Sequence, residues 1–265
     1  MSQDNPKVVL HWLNGSRAFS TTWLLEELGI PYELDIHHRL PNAMAPPELE
    51  DLHVLGKSPV LSITPPGSSE RIVLAESAFI TQYLSDHFAK GKKLIPTRWK
   101  DGQEGRVGGE TESWMRYQYL LYYIEGSFMA AMVHNVIFTG LKGQRIPFFI
   151  RPFTKLLANQ LIAMLVIPNM KKHFALLERY LATSPEGGSY ICGPNLTSAD
   201  ILLSFRLLAF DEAGAFEEMW AWEKTPFKES YPKLQAYMEL LSNEPGWKRA
   251  LEKITKMEGS CPLLP

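Results

Sequence analysis

Cysteine is scarce: the 265 residues carry two, Cys192 and Cys261. With no C-x-x-C or C-x-H spacing they form neither a disulfide framework nor a cysteine metal site, and a reducing compartment, the cytoplasm, is expected. Long apolar runs are missing as well. The longest strictly apolar stretch is Leu161–Ile167, far short of the roughly 18 residues of a spanning helix. The opening MSQDNPKVVL has no basic region followed by an apolar one, so it does not read as a signal peptide. Nor is there a basic excess. Lys plus Arg number 27 against 29 Asp plus Glu, a net charge of −2, which argues against a nucleic-acid partner. H-E-x-x-H, G-x-S-x-G and G-x-G-x-x-G are absent, and Gly56-Lys57-Ser58 lacks the glycine that a phosphate loop needs where Asp51 stands. Of seven histidines only His37 and His38 are neighbours. Adjacent strand residues point to opposite faces, so no metal site is expected.

What is present is ordinary globular material, 45% hydrophobic and 21% charged. Val8–Trp12 reads as a strand, Asn14-Gly15-Ser16-Arg17 as a turn, and Phe19, Trp23, Leu24 and Leu28 as a helix stopped by Gly29. Tyr32–Ile36 is a second strand, so the unit is strand–helix–strand with a parallel pair. A short helix start at Pro46–Leu49, a hairpin of Pro59–Ile63 with Arg71–Leu74, and a helix through Phe79, Tyr83 and Phe88 complete about 90 residues. Residues 91–110, rich in glycine and charge, read as a linker. Helical patterns then dominate: 111–139, 153–167, 169–183, 198–213 and 231–242. Thr197-Ser198-Ala199-Asp200 has the form of a capping box with Leu196 and Ile201 as a staple, and Pro232 suits a first helical turn. The expected fold is α/β plus all-α, with domains at 1–90 and 111–265.

Three stretches carry chemistry. The turn Asn14–Arg17 lies at a helix N-terminus, where anions are favoured; Ser16 there is either a cap or a donor to a thiolate. In Gly56-Lys57-Ser58-Pro59, a cis X-Pro bond would leave the Ser58 backbone free for a peptide-like ligand, and Lys57 would hold a carboxylate. Glu76-Ser77, between the fourth strand and its helix, offers a carboxylate for an ammonium and a hydroxyl with an amide for a carboxylate. Each alone is better explained as a turn or a cap. Together, at strand ends that this topology brings close, they match a zwitterionic tripeptide bearing a thiol.

The chain resembles the glutathione transferase family. The likeness lies in W-L-N-G-S-R-A-F with L-L-E-E-L-G-I-P-Y-E-L, in A-P-P-E-L-x-x-L-H-V-L-G-K-S-P-V-L, in I-V-L-A-E-S-x-x-I-x-x-Y-L, and in Y-I-C-G-P-N-L-T-S-A-D-I of the helical half. H-W-L-x-x-S-R-A-F and Y-Y-I-E-G-S make it most similar to the fungal, yeast-type members. The resemblance implies a thioredoxin-like N-terminal domain, an all-helical C-terminal domain, glutathione as co-substrate without a metal, and a homodimer. It assigns Ser58, before a cis Pro59, to the cysteinyl backbone, Lys57 to the glycyl carboxylate, and Glu76-Ser77 to the γ-glutamyl end. No Tyr or Cys stands in the first turn, so Ser16 is the first candidate for thiol activation, with Asn14 and Arg17 as alternatives.

The implied reaction is attack of the glutathione thiolate on an electrophilic small molecule, a detoxification chemistry, with peroxide reduction beside it. A non-catalytic glutathione-binding protein and a dedicated biosynthetic transferase are the alternatives. The hydrophobic electrophile is expected between the domains, against Tyr119, Tyr122, Tyr123 and Phe128. The segment 146–167 is longer than usual for the family and reads first as a heavily buried helix. An extended dimer contact, or peripheral association with an internal membrane, is the alternative.

Overall fold

The computed structural model describes residues 5–143, 146–220 and 225–259; Cys261 lies outside them. The N-terminal half is a four-stranded sheet with helices. β1 (Lys7–Leu13), α1 (Ala18–Leu28) and β2 (Glu33–His37) form the parallel unit, followed by a short α2 (Glu48–Leu52). β3 (Val60–Thr64) and β4 (Ile72–Ala75) make the hairpin, and α3 (Ser77–Phe88) closes the domain. The order is β2-β1-β3-β4, with β1 parallel to β2 and antiparallel to β3. Along β1 the alternate residues Val8, Leu10 and Trp12 are buried with Phe19 and Trp23 of α1 and Ile80 and Leu84 of α3. Gly29 stops α1 at φ 67°, where a side chain is disfavoured, and its N–H bonds back to Leu25 and Glu26.

Residues 91–110 contain no helix or strand. They are tied down by the bridge of Trp99 to Glu110 and by Arg98, which lies over the Trp99 and Trp114 rings at 4.4 and 4.5 Å. The remainder is helical: α4 (Glu112–Tyr123), α5 (Met129–Gly140), α6 (Arg151–Leu161), α7 (Ile167–Ala182), α8 (Ser198–Glu212), α9 (Ala215–Trp220), α10 (Phe227–Ser230), α11 (Pro232–Asn243) and α12 (Pro245–Glu258). The capping box forms: Thr197 N–H and Oγ1 donate to Asp200 Oδ2 at 2.8 and 2.6 Å, and Tyr237 O–H donates to its Oδ1 at 2.7 Å. Phe174, Phe216, Trp220, Phe227 and Tyr231 pack edge and face in the helical core, Phe216 stacked on Phe227 at 4.4 Å.

Four results depart from the sequence pattern. The helices expected at 153–167 and 169–183 are one continuous rod, α6 running into α7 through a π-helical turn at Ile162–Val166. Pro168 has no N–H to give to the preceding turn, and the wider π-turn accommodates the lost bond without a break. A second π-turn, Ile124–Phe128, joins α4 to α5. The last helix, α12, is absent from the pattern as first read. It packs on α1, with Trp247 against Phe19 at 4.6 Å and Trp23 at 5.4 Å, while Trp12 Nε1 donates to Glu258 at 2.7 Å.

Finally, segment 146–167 is not heavily buried. Phe148 is 79% exposed, Phe153 71% and Leu156 68%, with Met164 and Leu165 also open. Only Ala158, Ile162, Val166 and Ile167 turn inward. Arg151–Ala182 is, among the described residues, the one helix long and apolar enough by composition to cross a membrane. Its second half, however, carries Lys171, Lys172, Glu178 and Arg179, and Met170, Phe174 and Leu177 belong to the core.

Candidate active site

The three stretches converge at one end of the sheet. Arg17, His53, Leu55, Lys57, Ser58, Pro59, Ala75, Glu76 and Ser77 line one shallow depression. The Ser58–Pro59 peptide is cis, and Ser58 stands just ahead of the ladder that begins at Val60. Lys57 is exposed and forms no ion pair among the described residues. Glu76 adopts φ 71°, ψ 117°, a conformation that costs a non-glycine residue roughly 1–3 kcal/mol and concentrates at ligand sites. It turns the chain sharply from β4 into α3, placing Ser77 at the N-terminus of that helix. Ser77 is 1% exposed, and its Oγ has no hydrogen-bond partner. A buried hydroxyl at a helix N-terminus, left unsatisfied, fits a carboxylate. His53 and Leu55 were not singled out by sequence; they join the site through the loop before β3, which no motif marks.

Of the first-turn candidates, Ser16 sits beneath this depression. It is buried, its Oγ lies 3.1 Å from the Ser58 Oγ, and it accepts from Ala18 N–H at 3.2 Å. A hydroxyl has two acceptor lone pairs and one proton. Ala18 N–H occupies one lone pair, and in the Ser16–Ser58 contact either hydroxyl can donate; when Ser58 donates, the Ser16 proton is left for a third group. Asn14 is engaged elsewhere: its Oδ1 accepts from Arg39 N–H at 2.8 Å, holding the chain after β2 against β1. Arg17 is ion-paired with Glu125, from the π-turn after α4. Burial raises the Glu125 pKa, with Arg17 pulling it the other way.

The four aromatic candidates go elsewhere. Tyr119 and Tyr123 stack at 5.4 Å, Tyr119 meets Tyr180 at 5.9 Å, and Tyr123 O–H lies 2.7 Å from His173 Nδ1. Phe128 is buried against Phe174, and Tyr122 is 72% exposed. Tyr119 and Tyr123 belong to the face of α4 that meets α7. The π-turn rotates the helix beyond Tyr123, so that Asn135, Val136 and Thr139 of α5 turn to the inter-domain space instead.

That space is a cavity of about 850 Å³ on the other side of the first turn, reaching from Gly15 and Arg39 to α5, α6, α8 and α9. Its apolar wall includes Val136, Ile162, Ile167, Phe210 and Met219. Size and lining suit a small organic ligand. The π-turn between α6 and α7 borders it, with Ile162 and Ala163 in the wall.

Away from this end, His11, Asp35 and His37 gather on the sheet. Asp35 Oδ2 lies 2.7 Å from His11 Nδ1 and 3.0 Å from His37 Nε2, and Ser62 Oγ takes the other His11 nitrogen at 2.8 Å. The pairing of β1 with β2 creates this group, which adjacent histidines in the sequence could not reveal. Its polar atoms satisfy one another.

Two family models match the chain: the glutathione S-transferase N-terminal domain over residues 16–87 and the glutathione S-transferase C-terminal domain over 146–253. The chain belongs to the glutathione S-transferase family. Among curated proteins it is 29% identical to glutathione S-transferase 1 of Saccharomyces cerevisiae, over 94% of this chain and 95% of that protein. A solved glutathione S-transferase from Actinobacillus pleuropneumoniae aligns at 28% identity with a TM-score of 0.61, covering 93% of this chain and 92% of that one. A glutathione transferase from Phanerochaete chrysosporium, solved with oxidized glutathione, aligns at 19% identity with a TM-score of 0.64, covering 97% and 98%. As a glutathione S-transferase, the chain has the thioredoxin-like domain followed by the helical domain that its sequence led one to expect, and glutathione is its thiol substrate.

Proposed function

We propose that the protein conjugates the glutathione thiolate to electrophilic small molecules held in the inter-domain cavity, and that this serves detoxification. Lys57 holds the glycyl carboxylate, Ser58 the cysteinyl backbone, Glu76 the γ-glutamyl ammonium and Ser77 its carboxylate. Ser16 donates its proton to the sulfur. A thiol of ordinary pKa near 8.5 is only a few per cent ionised at neutral pH, and lowering it by two units requires about 2.7 kcal/mol. A hydrogen bond to a charged group contributes roughly 1.5–3 kcal/mol, and the N-terminus of α1 adds up to about 1 kcal/mol. The thiolate then bonds to an electrophilic carbon as the leaving group departs with its electron pair. With a peroxide, the same sulfur bonds to one oxygen as the O–O bond breaks and the other oxygen leaves as alcohol or water; the sulfenic acid so formed reacts with the thiol of a second glutathione, giving the disulfide and water.

The observation that carries this reading is the buried Ser16 hydroxyl, which accepts from Ala18 N–H and lies 3.1 Å from the Ser58 hydroxyl of the depression. Ser16→Ala should raise the pKa of bound glutathione by about 1–2 units and lower kcat/KM by roughly 10- to 100-fold, with glutathione binding kept. Ultraviolet absorbance of the thiolate during a pH titration reads the first directly. An unchanged thiolate pKa would pass the role to Arg17 or to the main chain. A parent protein that binds glutathione yet turns over no electrophile would be the non-catalytic alternative, and a single accepted electrophile the biosynthetic one.

We place the enzyme in the cytoplasm as a homodimer, with the apolar side of α6 facing a second copy. Helices that lie on membranes carry Lys and Arg flanking their apolar face. The only charges of α6 are Arg151 and Lys155; Lys155 lines the cavity and Arg151 bonds back to the Ile146 carbonyl at 2.9 Å. That favours protein over lipid as the cover.

A further inference from the structure

The inter-domain cavity is far more cationic than the chain that builds it. Arg39, Lys142, Lys155 and Arg206 line it, and Arg17 lies beside it. Against these five stand two carboxylates: Glu218, which takes Lys142 at 3.0 Å, and Glu125, which takes Arg17. The whole protein has a net charge of −2, so this concentration is local.

Arg206 is the least satisfied member. It projects from α8, between the buried residues Phe205 and Leu207. Its Nε is buried without a hydrogen-bond partner, and it forms no ion pair among the described residues. Its guanidinium carbon lies 5.2 Å from the centre of the Phe205 ring. Burial, then the neighbouring charges of Arg17 and Arg39, hold its pKa down to about 10, against the opposing pull of the Glu125 carboxylate. Among the described residues the Arg39 guanidinium is anchored on carbonyl oxygens, those of Asn14 at 3.1 Å, Ala43 at 3.0 Å and Gly15 at 3.4 Å. A largely desolvated guanidinium is costly unless a carboxylate pairs with it, and the Glu125 carboxylate that bears on Arg206 is already ion-paired with Arg17, which leaves Arg206 open to a ligand's charge. Asn135, buried at 8% exposure, adds an amide to the same wall. Apolar residues, among them Val136, Ile162, Phe210 and Met219, make up the rest of the lining.

We propose that this cavity takes an amphipathic organic acid: a compact apolar body bearing a carboxylate, with Arg206 receiving the charge. This rests on the proposed function in making that acid the second substrate, placed across the first turn from glutathione. The site itself requires only the cavity and its cations. Shape selects the body, whereas the carboxylate orients it, leaving the apolar end toward Gly15 and the thiolate.

The test uses an unreactive pair differing only in charge, 2-naphthoate and 2-naphthamide, titrated calorimetrically with and without saturating glutathione. The parent protein should bind the acid about 10-fold or more tightly than the amide, the worth of a hydrogen-bonded charge pair. Arg206→Gln should abolish that preference while leaving amide binding unchanged, and Arg206→Lys should restore part of it. Lys155→Gln, at an exposed position, should reduce it less. Equal binding of acid and amide by the parent, or no binding of either, overturns the proposal without any variant. A parallel loss of both ligands in Arg206→Gln, with its thermal melt intact, does so as well. Glutathione affinity is measured in the same titrations. Its absence beside a retained acid preference would count against the proposed function and not against this site.

Discussion

At the scale of single residues, the site is recognisable by groups that the fold leaves unfinished. Ser77 is buried, yet nothing in the protein answers its hydroxyl. An unpaired buried hydroxyl costs roughly 1–3 kcal/mol. Ser20 and Ser85 share that pattern, whereas Ser184 donates to the Tyr190 carbonyl at 2.6 Å; what sets Ser77 apart is its place in the depression. Ser77→Ala should therefore leave the melting temperature unchanged or raise it slightly, while weakening glutathione binding by about 10-fold or more, the worth of one bond to a carboxylate. A thermal melt and a glutathione titration on the same sample decide it. If stability and affinity fell together, Ser77 would be a cap after all. Lys57, Glu76 and Ser77 were legible in sequence because each sits in a turn at the end of a strand. The partner of Arg17 was not, because Glu125 lies 108 positions along the chain and no local pattern ties them.

Among elements, α12 matters most to the site although it touches none of its residues. Trp247 is 3% exposed and closes on the Phe19 and Trp23 rings of α1, and α1 in turn carries the turn with Ser16 at its head. A side chain on Gly246 would run into Glu27 and Trp23, so the approach of the two helices needs that glycine. Trp247→Ala should cost about 3–5 kcal/mol, seen as a lower urea midpoint with little change in the slope of the transition. A loss under 1 kcal/mol would mean that α12 is a loose appendage. This helix was in fact readable: Pro245 suits its first turn, and Trp247, Ala250, Leu251 and Ile254 recur at helical spacing. The strands, α1 with its glycine stop and α8 with its capping box were found because each carries both a period and a terminator. The π-turns carry neither. One extra residue at Ile124–Phe128 turns the rest of the helix, so that Tyr119 and Tyr123 lie outside the cavity lining while Asn135 and Val136 belong to it.

For the whole molecule, the unexplained surface is the apolar side of α6 and the segment before it. Phe148, Phe149, Phe153, Leu156, Met164 and Leu165 are all more than half exposed. The sequence led to the opposite expectation, since an apolar run looks the same whether it faces a core or another chain. Isolated apolar residues on a surface need no explanation, but a contiguous group this size marks an interface. Lys155 and Asn159 of α6 line the cavity, so anything seated on the outer face would also steady the cavity wall. In a two-fold dimer each substitution acts twice, and the loss of a central anchor costs roughly 2 kcal/mol. Phe153→Asp with Leu156→Asp should therefore raise the dimer Kd at least about 1000-fold and give monomers in sedimentation velocity at micromolar protein, with the circular dichroism spectrum retained. The monomer should still bind glutathione, because the depression at the sheet end is built from one chain. A parent protein already monomeric, or a variant dimer as tight as the parent, would remove a second copy as the cover of this face. Flotation of the parent, but not the variant, with anionic vesicles would then assign it to lipid.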